Sequence, residues 1–418
     1  MLNINYKSYL FTGILLLAAF SLQAQNRVLT LDSVMHYVHH NNLMLQEHSL
    51  QSEALREYAK GAKSWMAPMA GGGVFMYPYP GQGQMEGRDK GMVMLSAQQE
   101  IPNPTKLRVR KRYMLSRAAT EEVGHEVMLN QIRAKAKAAY YQWVVLEKKK
   151  AVLQESERIM QFMLKLAQVR YPYNQGTLGN IYAAEARQRE IQNMLLMTSS
   201  EITMKNIDLN MLMSLSPYTR FAIDTVVKVP EPIAAVDMAY INTARSDIQQ
   251  VNRRIEEMQL NLQLENLARK PDFSIRFDHM TPRTGMMPQQ FSAMGMVSIP
   301  IVPWSAKMYK ANSKAMNLEI QAMQKSRANL VNEAWNMISS MALELKTKQT
   351  QVQNYRAKII PALRRNYETT LLSYEQNTGQ LPLVIDAWEA LNMAQMEYLN
   401  NLEQLYLIGV NYEKELEK

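Results

Sequence analysis

Residues 273–303 read FSIRFDHMTPRTGMMPQQFSAMGMVSIPIVP, and this stretch decides the fold class. Apolar and polar side chains alternate strictly from Phe273 to Asp278, which predicts a β-strand with one apolar and one polar face. Odd positions are again mostly apolar from Phe291 to Ile299, so we expect a second strand there. No charged side chain occurs between Arg283 and Lys307, but the prolines in this segment exclude a membrane helix.

The first half of the chain offers a similar pair of strands on either side of YPYPGQGQMEGRDKG, residues 77–91. We therefore predict two strand hairpins, within 65–104 and 271–303, which supply four strands per chain. Outer-membrane strands have about 9–11 residues and alternate in this way. Because lipid tolerates no open sheet edge, four strands cannot cross a bilayer alone, whereas three chains together would supply twelve.

The hairpins belong to a plan that occurs twice in the sequence. YPYNQGTL at 171–178 matches YEQNTGQL at 374–381, an offset of 203 residues, and GMV recurs with an offset of 204. Repeats of this kind indicate a duplicated structural unit. We expect the first copy at 25–216, the second at 237–418, and a linker at 217–236.

Each copy is predicted to contain a helix, the hairpin, a very long helix, a turn and a returning helix. In the first copy the opening helix is expected over Asp32–Lys63, with Asp32 as its N-cap, and the long helix over about Lys106–Val169. The turns are predicted at 171–179 and 377–382. Helices of this length favour a side-by-side coiled coil.

Residues 1–24 resemble a secretory signal peptide, with Lys7 before an apolar run and Ala24 at a cleavage point.

The composition of the chain excludes several classes of protein. The chain has no cysteine, so it has neither disulfides nor thiolate metal sites. Its net charge of +9 is spread along helices beside glutamates, which argues against nucleic-acid binding. No catalytic constellation is recognisable, so we expect no enzyme and no cofactor.

The tandem plan, the helix before each hairpin, the Ile-Pro strand ends and the glycine turns resemble the TolC family of outer-membrane efflux channels. The resemblance covers essentially the whole mature chain. It implies a mainly α-helical protomer of a homotrimer, in which a twelve-stranded barrel in the outer membrane of a Gram-negative bacterium continues into a coiled-coil tunnel in the periplasm. It also implies two partners besides lipid, an inner-membrane pump of the RND type and a periplasmic adaptor. The tips that meet the adaptor would be Gly176, Thr177, Leu178, Gly379, Gln380 and Leu381.

Acidic residues near the second turn narrow the tunnel entrance in that family. The stretch IDAWEA places Asp386 and Glu389 three residues apart on one helical face and resembles the family's gate pattern. The equivalent positions of the first copy are Ala183 and Ala186, so only the second copy carries carboxylates. The alternative is an ordinary solvated helix face.

Methionine is the one anomaly in the composition. Of 32 methionines, eleven lie within 66–94 and 280–296. The thioether is a soft ligand that suits Cu(I) and Ag(I), but methionine is also an adaptable filler of lipid faces and helix seams. The candidate ligands are Met76, Met85, Met92, Met94, Met286, Met287, Met294 and Met296.

The cargo therefore stays open among heavy metal, organic compounds or drugs, and secreted protein. The stretch SIPIVPWSAKMYKA at 298–311 resembles copper- and silver-exporting members of the family and favours metal. The rival class is a periplasmic coiled-coil scaffold or adaptor without a pore. Such a scaffold explains the long helices but not two hairpins with alternating faces.

Overall fold

A computed structural model of the chain describes residues 28–77, 79, 81, 91–174, 176–228, 237–283 and 287–417. The expected signal peptide and the end of the expected linker lie outside these residues. The described helices are α1 Leu31–Asn41, α2 Leu43–Gly61, α3 Pro104–Arg170, α4 Leu178–Leu212, α5 Met238–Ala244, α6 Ser246–Asn266, α7 Pro303–Asn354, α8 Ile360–Glu375 and α9 Leu381–Leu416. The described strands are β1 Val28–Leu29, β2 Met69–Phe75, β3 Met92–Ile101, β4 Ala222–Ile223, β5 Phe273–Pro282 and β6 Gln290–Val297. Among the described helices, none combines the length with the hydrophobicity that a membrane-spanning helix needs.

The chain divides into two compact units that cut across the two sequence copies. The first unit takes the chain up to Gln46 together with Met128–Ile241 and Ala334–Lys418, and the second takes Glu47–Val127 and Asn242–Glu333. Each unit therefore draws on both halves of the sequence.

The second unit contains a four-stranded antiparallel sheet in the order β2-β3-β5-β6. Ala97 of β3 lies opposite Phe277 of β5, so the two hairpins meet through their inner strands. Below the sheet, Lys106 Nζ donates to Asp272 Oδ2 at 2.7 Å. Gly124 of α3 permits a close helix approach, because a Cβ there would lie 2.8 Å from the Gln250 side chain of α6.

The first unit is helical and has three hydrophobic clusters. One cluster surrounds the two-stranded parallel β1-β4 pair, where the Tyr140 hydroxyl donates to the carbonyl of Asp224 at 2.9 Å. A second cluster joins α3, α4, α8 and α9 through residues such as Met163, Ala184 and Trp388. Helices from both sequence copies thus share one core.

The opening helix differs from its prediction in two ways. The N-cap is Thr30, whose hydroxyl accepts from the Ser33 amide at 3.3 Å, and Asp32 lies in the first turn instead. The helix also breaks at Asn42, whose side-chain amide donates to the carbonyl of Leu212 at 2.8 Å. The Asn42 side-chain oxygen accepts from the amides of Met44 at 3.0 Å and Leu45 at 3.3 Å, so Asn42 caps α2 and a new helix begins where the local pattern favours a continuous one.

The long helix of the second copy is interrupted. A π-helical turn at Tyr355–Ile359 separates α7 from α8, whereas α3 runs without a break. Pro361 follows this turn and has no amide hydrogen to donate back to the carbonyl of Ala357, so the helical hydrogen-bond pattern shifts there.

Candidate functional site

The four-stranded sheet has two chemically different faces. The register places Glu100, Arg276 and Asp278 on one face, together with Ser96 and Gln98. The opposite face carries most of the aliphatic and aromatic side chains, which are Val74, Val93, Leu95, Ile101, Phe273, Ile275, Phe277, Phe291 and Val297. Phe75 is the exception, because it lies on the polar face opposite Met92. The alternation predicted from FSIRFDH is therefore present in β5 and in its neighbours β3 and β6, whereas β2 is rich in glycine.

The apolar face has no covering layer within the described chain. Leu95 is 60% exposed, Ile275 is 54% exposed and Phe291 is 71% exposed. Contiguous apolar patches of this kind mark contact with another protein or with a membrane. The polar face is less exposed, and its Arg276 Nε donates to the buried Asp278 carboxylate at 2.9 Å.

Aromatic side chains flank the sheet at both ends. Trp65 precedes β2 and Trp304 follows β6, and both are exposed. Tyr77 and Tyr79 stand at the other end of β2 and are exposed as well. Aromatic residues in two rows around an apolar band are typical of strands that cross an outer membrane. Sequence reasoning missed these residues, although a tryptophan just outside each hairpin was a readable signal.

The helices that leave the sheet begin with cationic turns. No acidic residue occurs from 101 to 120 or from 298 to 318. The cationic side chains in these two stretches are Lys106, Arg108, Arg110, Lys111, Arg112, Arg117, Lys307, Lys310 and Lys314. Most are exposed and outnumber the exposed Glu100 and Asp272 at the same end, so this end of the sheet presents a positive rim.

The sheet has two open edges. β2 and β6 each pair with one neighbour in the described chain, and the outer edge of each has no partner strand. Because the four strands are antiparallel throughout, β2 and β6 run in opposite directions. A β6 edge placed beside β2 of another copy would therefore continue the antiparallel pattern.

The methionines proposed as metal ligands fall into several groups. Met92 and Met94 of β3 and Met294 and Met296 of β6 lie on the polar face of the sheet. Met76 follows β2 in a left-handed conformation and is 74% exposed. Met287 lies just before β6, and Met85 and Met286 lie outside the described residues.

The described residues contain no group of three or more His, Asp or Glu side chains that could hold a metal ion.

The turn predicted at 171–179 lies between α3 and α4. Thr177 is the N-cap of α4, and its hydroxyl accepts from the Asn180 amide at 3.3 Å. Leu178 is exposed. A Cβ added at Gly176 would meet no atom within 4 Å, so this glycine is not required by packing.

The second turn, predicted at 377–382, is more tightly built. A Cβ added at Gly379 would lie 3.2 Å from both the Cβ of Ser373 and the amide nitrogen of Tyr374. Gln380 is exposed, but Leu381 is 1% exposed and belongs to the core of the four helices. The prediction that Leu381 contacts a partner does not fit this burial, because the start of α9 directs it inward.

Arg170 joins the two turns, and sequence reasoning missed it. Its guanidinium donates to the backbone carbonyls of Tyr374 at 2.6 Å and Glu375 at 3.0 Å. It also lies 4.3 Å from the centre of the Tyr374 ring. These contacts satisfy the carbonyls at the end of α8 and hold the tips of the two copies together.

The two predicted gate carboxylates lie near an arginine from the other copy. Arg187 of α4 is 2.9 Å from Glu389 Oε1, and it donates to Glu190 at 2.8 Å. The hydrogen bond to Glu190 raises the pKa of Arg187, and the charges of Glu389 and Asp386 add to this effect. Asp386 is exposed on the same turn. The cluster therefore carries three carboxylates and one guanidinium, so the negative charge of the carboxylates is partly compensated within one chain.

No protein-family model and no curated protein sequence matches the chain. Solved structures match its fold. CusC, described as forming a transmembrane channel, aligns with a TM-score of 0.77 at 12% identity over 92% of this chain and 91% of its own. The CmeC outer-membrane channel of Campylobacter jejuni aligns with 0.76 at 15% identity over 92% and 85%. The open MtrE outer-membrane channel of Neisseria gonorrhoeae aligns with 0.74 at 16% identity over 92% and 88%. The chain therefore has the mainly helical fold of these outer-membrane channels, as expected from the resemblance to the TolC family.

Proposed function

We propose that this chain is one protomer of a trimeric outer-membrane channel, which acts as the passive exit duct of a tripartite efflux system. The observation that carries the proposal is a four-stranded sheet with an uncovered apolar face and two open edges. In water the unpaired backbone groups of the two edges would be hydrated, but the exposed apolar face would be unfavourable. In lipid the apolar face would be favourable, but the unpaired backbone groups of the edges would not be tolerated. Both demands are met when identical sheets join edge to edge in a bilayer.

The polarity of the sheet supports its orientation in such a ring. The face with Leu95, Ile275 and Phe291 would contact lipid, and the face with Arg276 and Asp278 would line the channel. The exposed tryptophans and the cationic rim at one end fit the headgroup region of a membrane leaflet. Three copies would give twelve strands with antiparallel pairing at every junction.

The helices would supply the periplasmic tunnel, and the turns would meet the adaptor. Exposed Thr177, Leu178 and Gln380 are available for this contact. Gly379 would contribute by close packing against the end of α8, which fixes the shape of the turn. An inner-membrane pump would deliver the cargo, since a duct of this kind supplies no energy.

The cluster of Asp386, Glu389, Glu190 and Arg187 would form a cation-attracting constriction at the tunnel entrance. Three chains would bring three such clusters together, each with a net negative charge. Like charges at close range repel one another, so divalent cations would stabilise the narrow state. Arg187→Gln should strengthen divalent block, because it removes the compensating charge.

For the cargo, we propose soft heavy metal such as Cu(I) or Ag(I). The methionines on the channel-facing side of the sheet support this choice. Organic compounds or drugs are the alternative. Deleting the gene should sensitise cells to copper or silver more than to dyes and antibiotics, and the reverse pattern would favour organic cargo.

The channel itself is tested by fractionation followed by planar-bilayer recording. We expect trimers in the outer-membrane fraction that dissociate on heating and conduct ions after reconstitution. A soluble periplasmic monomer without conductance would support the scaffold instead.

A further inference from the structure

All methionines of the four described sheet strands lie on one face. The register puts Met69, Met92, Met94, Met280, Met294 and Met296 on the same face as every charged side chain of these strands. The apolar face, which is rich in valine, leucine, isoleucine and phenylalanine, has no methionine. Methionine used as a filler of the lipid-facing surface would occur on that apolar face. This distribution therefore calls for a different explanation.

Three of these methionines are neighbours on the two central strands. Met94 of β3 lies directly opposite Met280 of β5, and Met92 lies diagonally across from Met280. Directly opposed side chains have Cβ atoms about 4.5–5.5 Å apart, and diagonal neighbours about 7–8 Å apart. Each methionine has three rotatable bonds and a polarisable sulfur, so the three thioethers can converge on one ion.

The surroundings leave room for an ion beside Met94. Its neighbour on β2 is Gly73, where an added Cβ would meet no atom within 4 Å. Met92, Met94 and Met280 are all half-buried, so their thioethers remain accessible. Because β3 and β5 are inner strands, the cluster is complete within one chain.

The other methionine pair on this face is less suitable for a cation. Met294 lies directly opposite Arg276, whose guanidinium is held there by the buried carboxylate of Asp278. Met296 lies opposite Ser274. A cation approaching Met294 would meet a positive charge, whereas Met94 and Met280 face each other. The methionines at 92, 94 and 280 can therefore be compared with the pair at 294 and 296, which serves as the control.

We propose that Met92, Met94 and Met280 form a binding site for a soft monovalent cation, Cu(I) or Ag(I), on the channel-facing side of the sheet. That location rests on the proposed channel. Three neutral thioethers offer soft ligation without neutralising the charge of the ion. The affinity is accordingly moderate, as transit requires, since an ion that binds too tightly would not leave.

The test uses the purified full-length protein in detergent, with Ag(I) as the probe in chloride-free buffer. One variant carries Met92→Leu, Met94→Leu and Met280→Leu, and the control carries Met294→Leu and Met296→Leu. Leucine conserves volume, so both variants should fold. Calorimetric titration should give about one Ag(I) per chain for wild type and control, and at least about tenfold weaker binding for the triple variant, or about 1.4 kcal/mol.

Absence of Ag(I) binding in wild type, or equal losses in both variants, would overturn the site. Potassium conductance in planar bilayers separates this result from failure of the channel. A conducting trimer that does not bind Ag(I) would remove the site and keep the channel. A protein that binds Ag(I) through the three methionines but never conducts would keep the site and remove the channel.

Discussion

Two adjacent residues in the middle of β3 offer the sharpest test of the sheet's orientation. Leu95 lies on the apolar face and is largely exposed, and Ser96 lies on the polar face opposite Asp278. A lysine on the lipid-facing side of an outer-membrane strand costs about 2–4 kcal/mol near the bilayer midplane. At about 1.4 kcal/mol per tenfold change, Leu95→Lys should reduce the population of folded, inserted chains by roughly 30- to 700-fold. Each trimer carries the penalty in all of its chains.

Ser96→Lys provides the matched control with the same charge at nearly the same depth. It removes one hydrogen bond, from the Ser96 hydroxyl to the carbonyl of Gly71 at 3.3 Å, which is worth about 1 kcal/mol or less. The new ammonium would face the channel near the carboxylate of Asp278. Leu95→Met should be nearly neutral because it conserves volume.

The assay compares the amount of heat-modifiable trimer in outer-membrane fractions and its denaturation in a urea gradient. We expect Leu95→Lys to lose trimer and Ser96→Lys to retain it. Equal behaviour of the two lysine variants would refute the assignment of faces. Normal abundance of Leu95→Lys in the soluble periplasm would refute membrane insertion.

Three further predictions concern the first unit. Replacing Asp386 and Glu389 together by alanine should raise single-channel conductance and weaken divalent-cation block, and wild-type currents would contradict the gate. Gly379→Ala should destabilise the protein by about 1–3 kcal/mol in thermal denaturation, because its Cβ would press on the backbone of α8. The control Gly176→Ala should be neutral within error. Equal effects of the two substitutions would show that the second turn is not packed as described. Burial raises the pKa of three tyrosines to about 12, namely Tyr140, Tyr367 and Tyr406. The same side chains ionise near pH 10 in the unfolded chain. The part of the free energy of unfolding that depends on these protonated phenols is therefore complete below pH 10 and is lost as the pH rises to about 12. An ultraviolet titration should therefore show these phenols ionising late and together with unfolding, and early ionisation without unfolding would contradict their burial.

The strands and the helix ends could be predicted because local chemistry determines them. A period of two residues permits only a strand with two distinct faces, and FSIRFDH sets which face is which. Prolines and glycines end the helices close to where they were expected, and α3 covers Pro104–Arg170 against a predicted Lys106–Val169. Such signals do not depend on the rest of the fold.

The errors arose where distant parts of the chain meet. Asn42 caps α2 locally through the amides of Met44 and Leu45, but its second contact, with a carbonyl 170 residues away, is not visible in the local sequence. The partner of Glu389 is Arg187, 202 residues away in the other sequence copy, so the sequence does not show that the charge of Glu389 is compensated. Leu381 follows Gly379 closely in the sequence, which predicts a place at the tip, but the first turn of α9 directs its side chain into the core. Met280 lies opposite Met94, a pairing that only the strand register reveals.

The central claim is that identical sheets join edge to edge in a ring of three. The natural chain has no cysteine, so introduced pairs give an unambiguous signal. Ala70→Cys on the β2 edge can be combined in turn with cysteine at Phe291, Ala293, Gly295 or Val297 on the β6 edge, because the stagger between chains selects one partner. After mild oxidation in intact outer membranes, at least one pair should give a covalent ladder that ends at three chains. Monomers only, or a ladder that continues past three, would contradict the account.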